Sequence, residues 1–363
     1  QAIPLNSDVQ IAGGAMLDVN GSQTTIGSLS VTATDARIAL GGGTLTLTAT
    51  STGNLTFPGI ISDFGSGSTR AGGTLAWSGS GTLLLTNTNY FSTMMINNGV
   101  VPTADLGTAG SSSNIGTAST AVTSLVLGGG TLRYTGLYGS SDRGFTLTNS
   151  TTSTIEIVDP LATLTLSGSS AATSGSLVKT GPGLLFLSGS NAFTGFTRIN
   201  AGTVTIGSLN ALGGSTYDTQ SGAVGTLTFG GQLSVRLGGL TGFNPLVLQN
   251  DAWQGVALNV GGNGQNTTFA GVLSGPGSLT KSGTGILTLT ATNTFFGGLT
   301  VTGGLVAVQN DAALGDVAGG LTLNGGGLSI LGTSFTTPNP ARPITVAAGG
   351  GTLDIASAAN TFT

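Results

Sequence analysis

Residues 281–306 read KSGTGILTLTATNTFFGGLTVTGGLV, and residues 179–204 read KTGPGLLFLSGSNAFTGFTRINAGTV. The two stretches start 102 residues apart and agree at 10 of 26 positions. What they share is a lysine, glycines, alternating Leu and Val, one Asn and one Phe. Most polar positions drift. A third copy, WSGSGTLLLTNTNYFSTMMINNGVV, occupies 77–101, with Trp77 in place of the lysine and one residue fewer between its Asn and Ile96. Gly81, Gly183 and Gly285 fall at the same place in each frame. So do Asn89, Asn191 and Asn293, and Phe91, Phe193 and Phe295. Such a spacing is an internal repeat, and it decides the fold class before any local assignment.

Outside the frames the dominant period is two. GGGTLTLTAT (41–50), SLVLGGGTLRY (124–134), GTLTFGGQLSV (225–235) and LTLNGGGLSI (321–330) alternate apolar and small polar residues, as half-buried strands do. Glycine clusters between the runs mark turns. No stretch carries apolar residues at helical spacing. The nearest, Ala201–Leu212, is too rich in Thr, Gly and Ser.

Short strands with glycine turns leave a β-solenoid or a propeller. Propeller blades repeat about every 40–50 residues, half the unit seen here. Coils of three short strands give four or five coils per 102-residue unit and about 15 in the chain, a rod of about 70 Å at roughly 4.8 Å per coil. The chain thus reads as all-β, one continuous solenoid over residues 1–363 without helices. In it Leu, Val, Ile and Phe stack on their equivalents one coil away. Glycine serves positive-φ turns or crowded spots, and Asn serves left-handed turns or ladders.

Composition excludes several function classes. Gly is 65 of 363 residues and only 6% are charged, against roughly 25% in ordinary soluble domains. Apolar residues at 38%, placed in alternation, argue for a buried core rather than disorder. There is no Cys and no His, so disulfides, thiol chemistry and the commonest general base are absent. The net charge of −4 and seven scattered Arg do not form a nucleic-acid footprint. No apolar run is long enough for a membrane-spanning helix.

Residue by residue, the chemistry-bearing groups read as structural. Asp311 and Asp316 flank an AALG loop and read as turn residues. Glu156 alternates with Ile155 and Ile157, so it points to solvent, and Asp159 precedes Pro160 in a turn. Lys179 and Lys281 read as a solvated strand edge or partners for a nearby Asp, over the sharper reading of a repeated ligand contact. GGNGQN (261–266) resembles half of a calcium-binding glycine repeat but has Asn266 where the Asp belongs. GSGST (65–69) lacks the lysine and helix of a phosphate loop. Tyr90, Tyr134, Tyr138, Tyr217, Trp77 and Trp253 read as core ends or isolated surface aromatics rather than a sugar platform. No catalytic, metal or cofactor site is assigned.

The frame K-[TS]-G-x-G-x-L-x-L-x-x-x-N-x-F-x-G followed by [IV]-x-x-G-x-V resembles the passenger-associated repeat of autotransporter proteins. GVLSGPGSLTKSGTGILTLTATNTFFGGLTV (271–301) and the region 321–363 carry the resemblance most fully. Copy one departs from it at Trp77 and Thr93. The resemblance implies a right-handed parallel β-helix on the bacterial cell surface, secreted through an outer-membrane barrel that this stretch does not contain. The pattern starts and stops mid-repeat. That suits either a window of a longer passenger or ends that stack into a fibre. A non-catalytic structural solenoid is therefore expected, with self-association through its ends. An adhesin that contacts polysaccharide through the irregular stretches 102–123 and 136–154 is the alternative, and a polysaccharide-degrading β-helix a third.

Overall fold

The structure is a computed structural model that describes residues 3–31, 33–49, 53–64, 72–220 and 222–363; the GSGST stretch lies outside these. The chain divides into two compact units, Gln1–Gly189 and Ser190–Thr363. Each is a parallel β-solenoid of short strands, and the turns of the chain number about 15. Helical geometry among the described residues is limited to two single 3-10 turns, Asp311–Leu314 and Val317–Gly319.

Strand register shows why two-residue alternation suffices. In the first unit Thr44–Leu47, Thr74–Trp77, Thr93–Ile96, Leu125–Leu127 and Phe145–Leu147 pair in parallel, one per coil. The register places Leu45, Leu75, Met94, Leu125 and Phe145 in one inward column. Leu47, Trp77, Ile96, Leu127 and Leu147 form the next. All ten are buried. The same backbone bonds that link coils hold like side chains in register, so no helix is needed to satisfy the backbone.

The second unit repeats the device. Val235, Leu258, Leu279, Leu299 and Leu321 make one buried column; Leu237, Val260, Lys281, Val301 and Leu323 make another. A lysine thus stands inside an aliphatic column.

Two stretches expected to be irregular behave differently. Residues 136–154 hold the strands Tyr138–Ser141 and Phe145–Leu147 and the start of Thr152–Ile157, each paired to its neighbouring coil, so this is an ordinary coil. Its Ser- and Gly-rich composition hid the alternation. Of residues 102–123, Pro102 and Thr103 still pair with Arg133 and Tyr134, and the rest leaves the ladder. It contains the one antiparallel strand pair among the described sheets, Ser112–Ser113 with Gly116–Thr117.

Candidate functional site

The repeated residues come first, because recurrence made them the obvious candidates. Lys179 is 0% exposed and Lys281 is 1% exposed, which corrects the solvated reading. Lys179 lies in register with Ile155, Leu132 and Val101, and its Nζ donates to the carbonyls of Thr180 (2.7 Å) and Gly181 (2.8 Å). Lys281 Nζ donates to Ser282 (2.6 Å), Gly283 (3.1 Å) and Gly303 (3.2 Å). The stem fills the apolar column while the ammonium closes a glycine turn from inside. Burial pushes both lysines down to about 8, with Glu156 pulling Lys179 the other way.

Trp77 takes the same place and does the same job. It is fully buried, and its Nε1 donates to the Gly81 carbonyl at 3.3 Å. One coil on, a glycine is required in both versions. A Cβ on Gly99 would sit 2.7 Å from Trp77 Nε1, and one on Gly304 would sit 2.9 Å from Lys281 Nζ. The signal was in the sequence. Lys281 is in phase with Leu279, Lys179 with Leu177 and Trp77 with Leu75, which places all three indoors.

The rest of the frame is also interior. Gly81, Gly183 and Gly285 do not have positive φ; a Cβ there would meet a carbonyl of the preceding coil at 2.5, 2.5 and 2.2 Å respectively. Asn89 and Asn293 bridge coils. Each accepts from a backbone N–H of the previous coil, Ile61 at 2.7 Å and Leu273 at 2.8 Å. Each donates to a carbonyl of the next, Asn114 and Ala313, both at 2.6 Å. Asn191 donates to Ala211 at 2.9 Å. None of the three is left-handed, so the expected turn conformation is replaced by an inter-coil tie. Phe91, Phe193 and Phe295 are fully buried.

The carboxylates are held in structural roles. Arg342 grips Asp311 with two hydrogen bonds of 2.9 Å and also donates to the Gly315 and Asp316 carbonyls. Burial alone would raise the Asp311 carboxyl, but the Arg342 and Asn339 hydrogen bonds and the Arg342 charge hold it below its usual value. Asp316 caps the turn Val317–Gly319. Glu156 pairs across coils with Arg133 at 2.7 Å on the outer face, and Asp159 accepts from Leu161 N in a turn. In GGNGQN, Asn266 accepts from Ile286 N, and Asn263 donates to Thr216.

What faces outward is different. The excursion between Ala104 and Ser124 stands on Arg143, which is 1% exposed. Its guanidinium donates to the carbonyls of Leu106 (2.9 Å), Gly116 (3.0 Å), Thr117 (3.3 Å) and Ser124 (3.4 Å). Burial pushes Arg143 down to about 10, against the pull of Asp105 and Asp142. Asp142 also accepts from Ala109 N at 2.7 Å. The tip, Thr108–Ser111, is exposed. Beside the excursion, Asn87, Pro102, Asp105, Asn114 and Thr135 line a recess of about 380 Å³. Of the six aromatics, Trp77, Tyr134 and Tyr217 are buried, whereas Tyr90, Tyr138 and Trp253 are exposed. Trp253, at 83% exposure, sits at φ 65° in a loop held by Asn250, which accepts from Ala252 N and Gln254 N.

Among the described residues no helix is long and apolar enough to cross a membrane. The passenger-associated-transport-repeat matches residues 177–206 and 279–308, which contain the two lysine-bearing frames. The chain is 34% identical over 99% of its length to the adhesin BmaC autotransporter of Brucella suis biovar 1 (strain 1330), and spans 11% of that protein. No solved structure matches. The repeats, the relative and the parallel β-solenoid all fit one class, the passenger domain of an autotransporter.

Proposed function

We propose that the chain is an adhesive, non-catalytic segment of a passenger displayed at the bacterial surface, whose scaffold is the repeat frame and whose contacts are made by the outward excursion. The similarity to a protein named an adhesin, running along 99% of this chain, carries this reading. The geometry supports it. Repeated polar groups are spent indoors on turns, and Arg143 anchors an exposed loop that breaks the coil pattern. A rigidly anchored loop loses less entropy on binding than a free one.

The test is a polysaccharide and host-glycan array probed with the purified chain and with Thr108→Glu/Ala109→Glu, both positions being exposed. Binding by the native chain that drops in the double variant supports the role. An array without a binder, together with unchanged cell attachment by the variant, sinks it.

A further inference from the structure

The second unit carries an outward recess whose chemistry differs from everything around it. It has a volume of about 460 Å³ and is lined by Asn191, Asn210, Arg236, Asn259 and Ser282, with Gly213 and Gly262 among the lining backbone. Arg236 and Asn259 occupy matching positions on adjacent coils, within the paired strands Ser234–Gly242 and Ala257–Val260. Their side chains are therefore about 5 Å apart at the base, the spacing of neighbouring strands.

Arg236 shares with Arg37 an exposed side chain, but only Arg236 lines this recess. Arg133, Arg198 and Arg342 are paired with carboxylates, and Arg143 is buried among carbonyls. Arg236 is exposed, and among the described residues its guanidinium makes neither a hydrogen bond nor an ion pair. No carboxylate lines the recess. Ser282 Oγ donates to Asn259 Oδ1 at 2.6 Å, which leaves the Asn259 amide N–H₂ as the outward donor beside the guanidinium. The site thus offers a planar, charged, two-pronged donor next to amide and hydroxyl groups. A guanidinium matches a carboxylate or sulfate in two parallel hydrogen bonds. Amides and serine hydroxyls match the vicinal hydroxyls of a sugar ring.

We propose that this recess binds an acidic saccharide, with Arg236 on the carboxylate or sulfate and Asn259, Asn210 and Ser282 on neighbouring hydroxyls. The inference deepens the adhesive reading by naming a ligand class. It concerns different residues from the excursion, so the two can fail separately.

The recess also supplies its own control. Gly262 does not have positive φ, and a Cβ there meets only the Gly213 carbonyl, at 3.7 Å, so a side chain at 262 fits and fills the space. Binding of the purified chain is measured on immobilised polygalacturonate, dextran sulfate and neutral dextran, with folding checked by circular dichroism. The native chain is expected to bind one or both acidic polymers and not dextran, and added salt weakens that binding. The two acidic arms tell carboxylate from sulfate. Arg236→Gln and Gly262→Leu are each expected to lower affinity at least about tenfold, the scale of a lost charge-assisted hydrogen-bond pair, while Arg37→Gln, which removes an exposed arginine outside the recess, leaves it unchanged. Equal binding to dextran, no binding to either acidic polymer, or full binding by folded Arg236→Gln would overturn the assignment.

Discussion

At the scale of single residues, the informative observation is that an ammonium and an indole serve one structural position. Lys281 and Trp77 share no charge and little shape. What they share is an apolar stem or ring and an N–H that reaches a glycine-turn carbonyl. Replacing Lys281 by Met keeps the volume and removes the donor from the carbonyls of Ser282, Gly283 and Gly303. The expected cost is about 1–3 kcal/mol, the desolvation penalty of buried acceptors left without a donor, read from urea unfolding midpoints. The pH dependence has a definite sign. Both lysines have folded values near 8, below the ordinary 10.5, so the unfolded chain holds more protons between these values and stability rises with pH through that window. Tyr217, pushed up to about 12 by burial and by Asp218, acts oppositely above pH 10. Unfolding midpoints of the native chain should therefore climb from about pH 8 to about pH 10, above which Tyr217 and Arg143, pushed down to about 10, act in opposite directions. In Lys281→Met the climb should be shallower.

Glycine separates two uses at the same scale. Gly285→Ala would drive a Cβ to 2.2 Å from the Gln265 carbonyl. A loss of at least about 2 kcal/mol is expected, since the close-packed coils cannot move apart without breaking their ladder. Gly231→Ala meets nothing within 4 Å and has no positive φ, so it should be neutral or stabilise by about 0.5 kcal/mol. Thermal melts of the two variants side by side check the contrast.

At the scale of elements, the ladders were legible and the exceptions were not. Alternation in TLTLTAT or TLRY marks an inward face directly, and the columns through Leu75 and Leu279 follow from it. The interior lysines were legible too, had phase been weighed above charge. Arg143 was not. It lies in the link between the strands Tyr138–Ser141 and Phe145–Leu147, outside any alternation, and its partners are 19 to 37 residues away. Contacts of that span depend on coil register, which local pattern does not supply. The same holds for Arg198 with Asp218 and for Arg342 with Asp311. Arg143→Met should leave the coils intact and loosen the excursion. Hydrogen exchange at the amides of residues 106–118 is expected to accelerate at least about tenfold, with little change in the strand Thr131–Tyr134. Uniform acceleration across both would show that Arg143 supports the coils rather than the loop.

At the scale of the whole molecule, structure and likeness point the same way. The parallel solenoid and the repeats give a scaffold, and the similarity along nearly the full chain is to an autotransporter adhesin. The frame is spent on shape. The recurring stretch at 281–306 serves turns and core, and the proposed reading assigns partner recognition to the Thr108–Ser111 tip and the Arg236 recess. The adhesive role is tested most directly by attachment itself. Beads coated with the purified chain are incubated with host-cell monolayers and with polysaccharide films, then washed under flow. Native-coated beads are expected to remain in excess of albumin-coated beads, and the excess should fall when the tip or the recess is altered. Retention no greater than that of albumin on every surface, by a chain shown to be folded, would contradict the adhesive role.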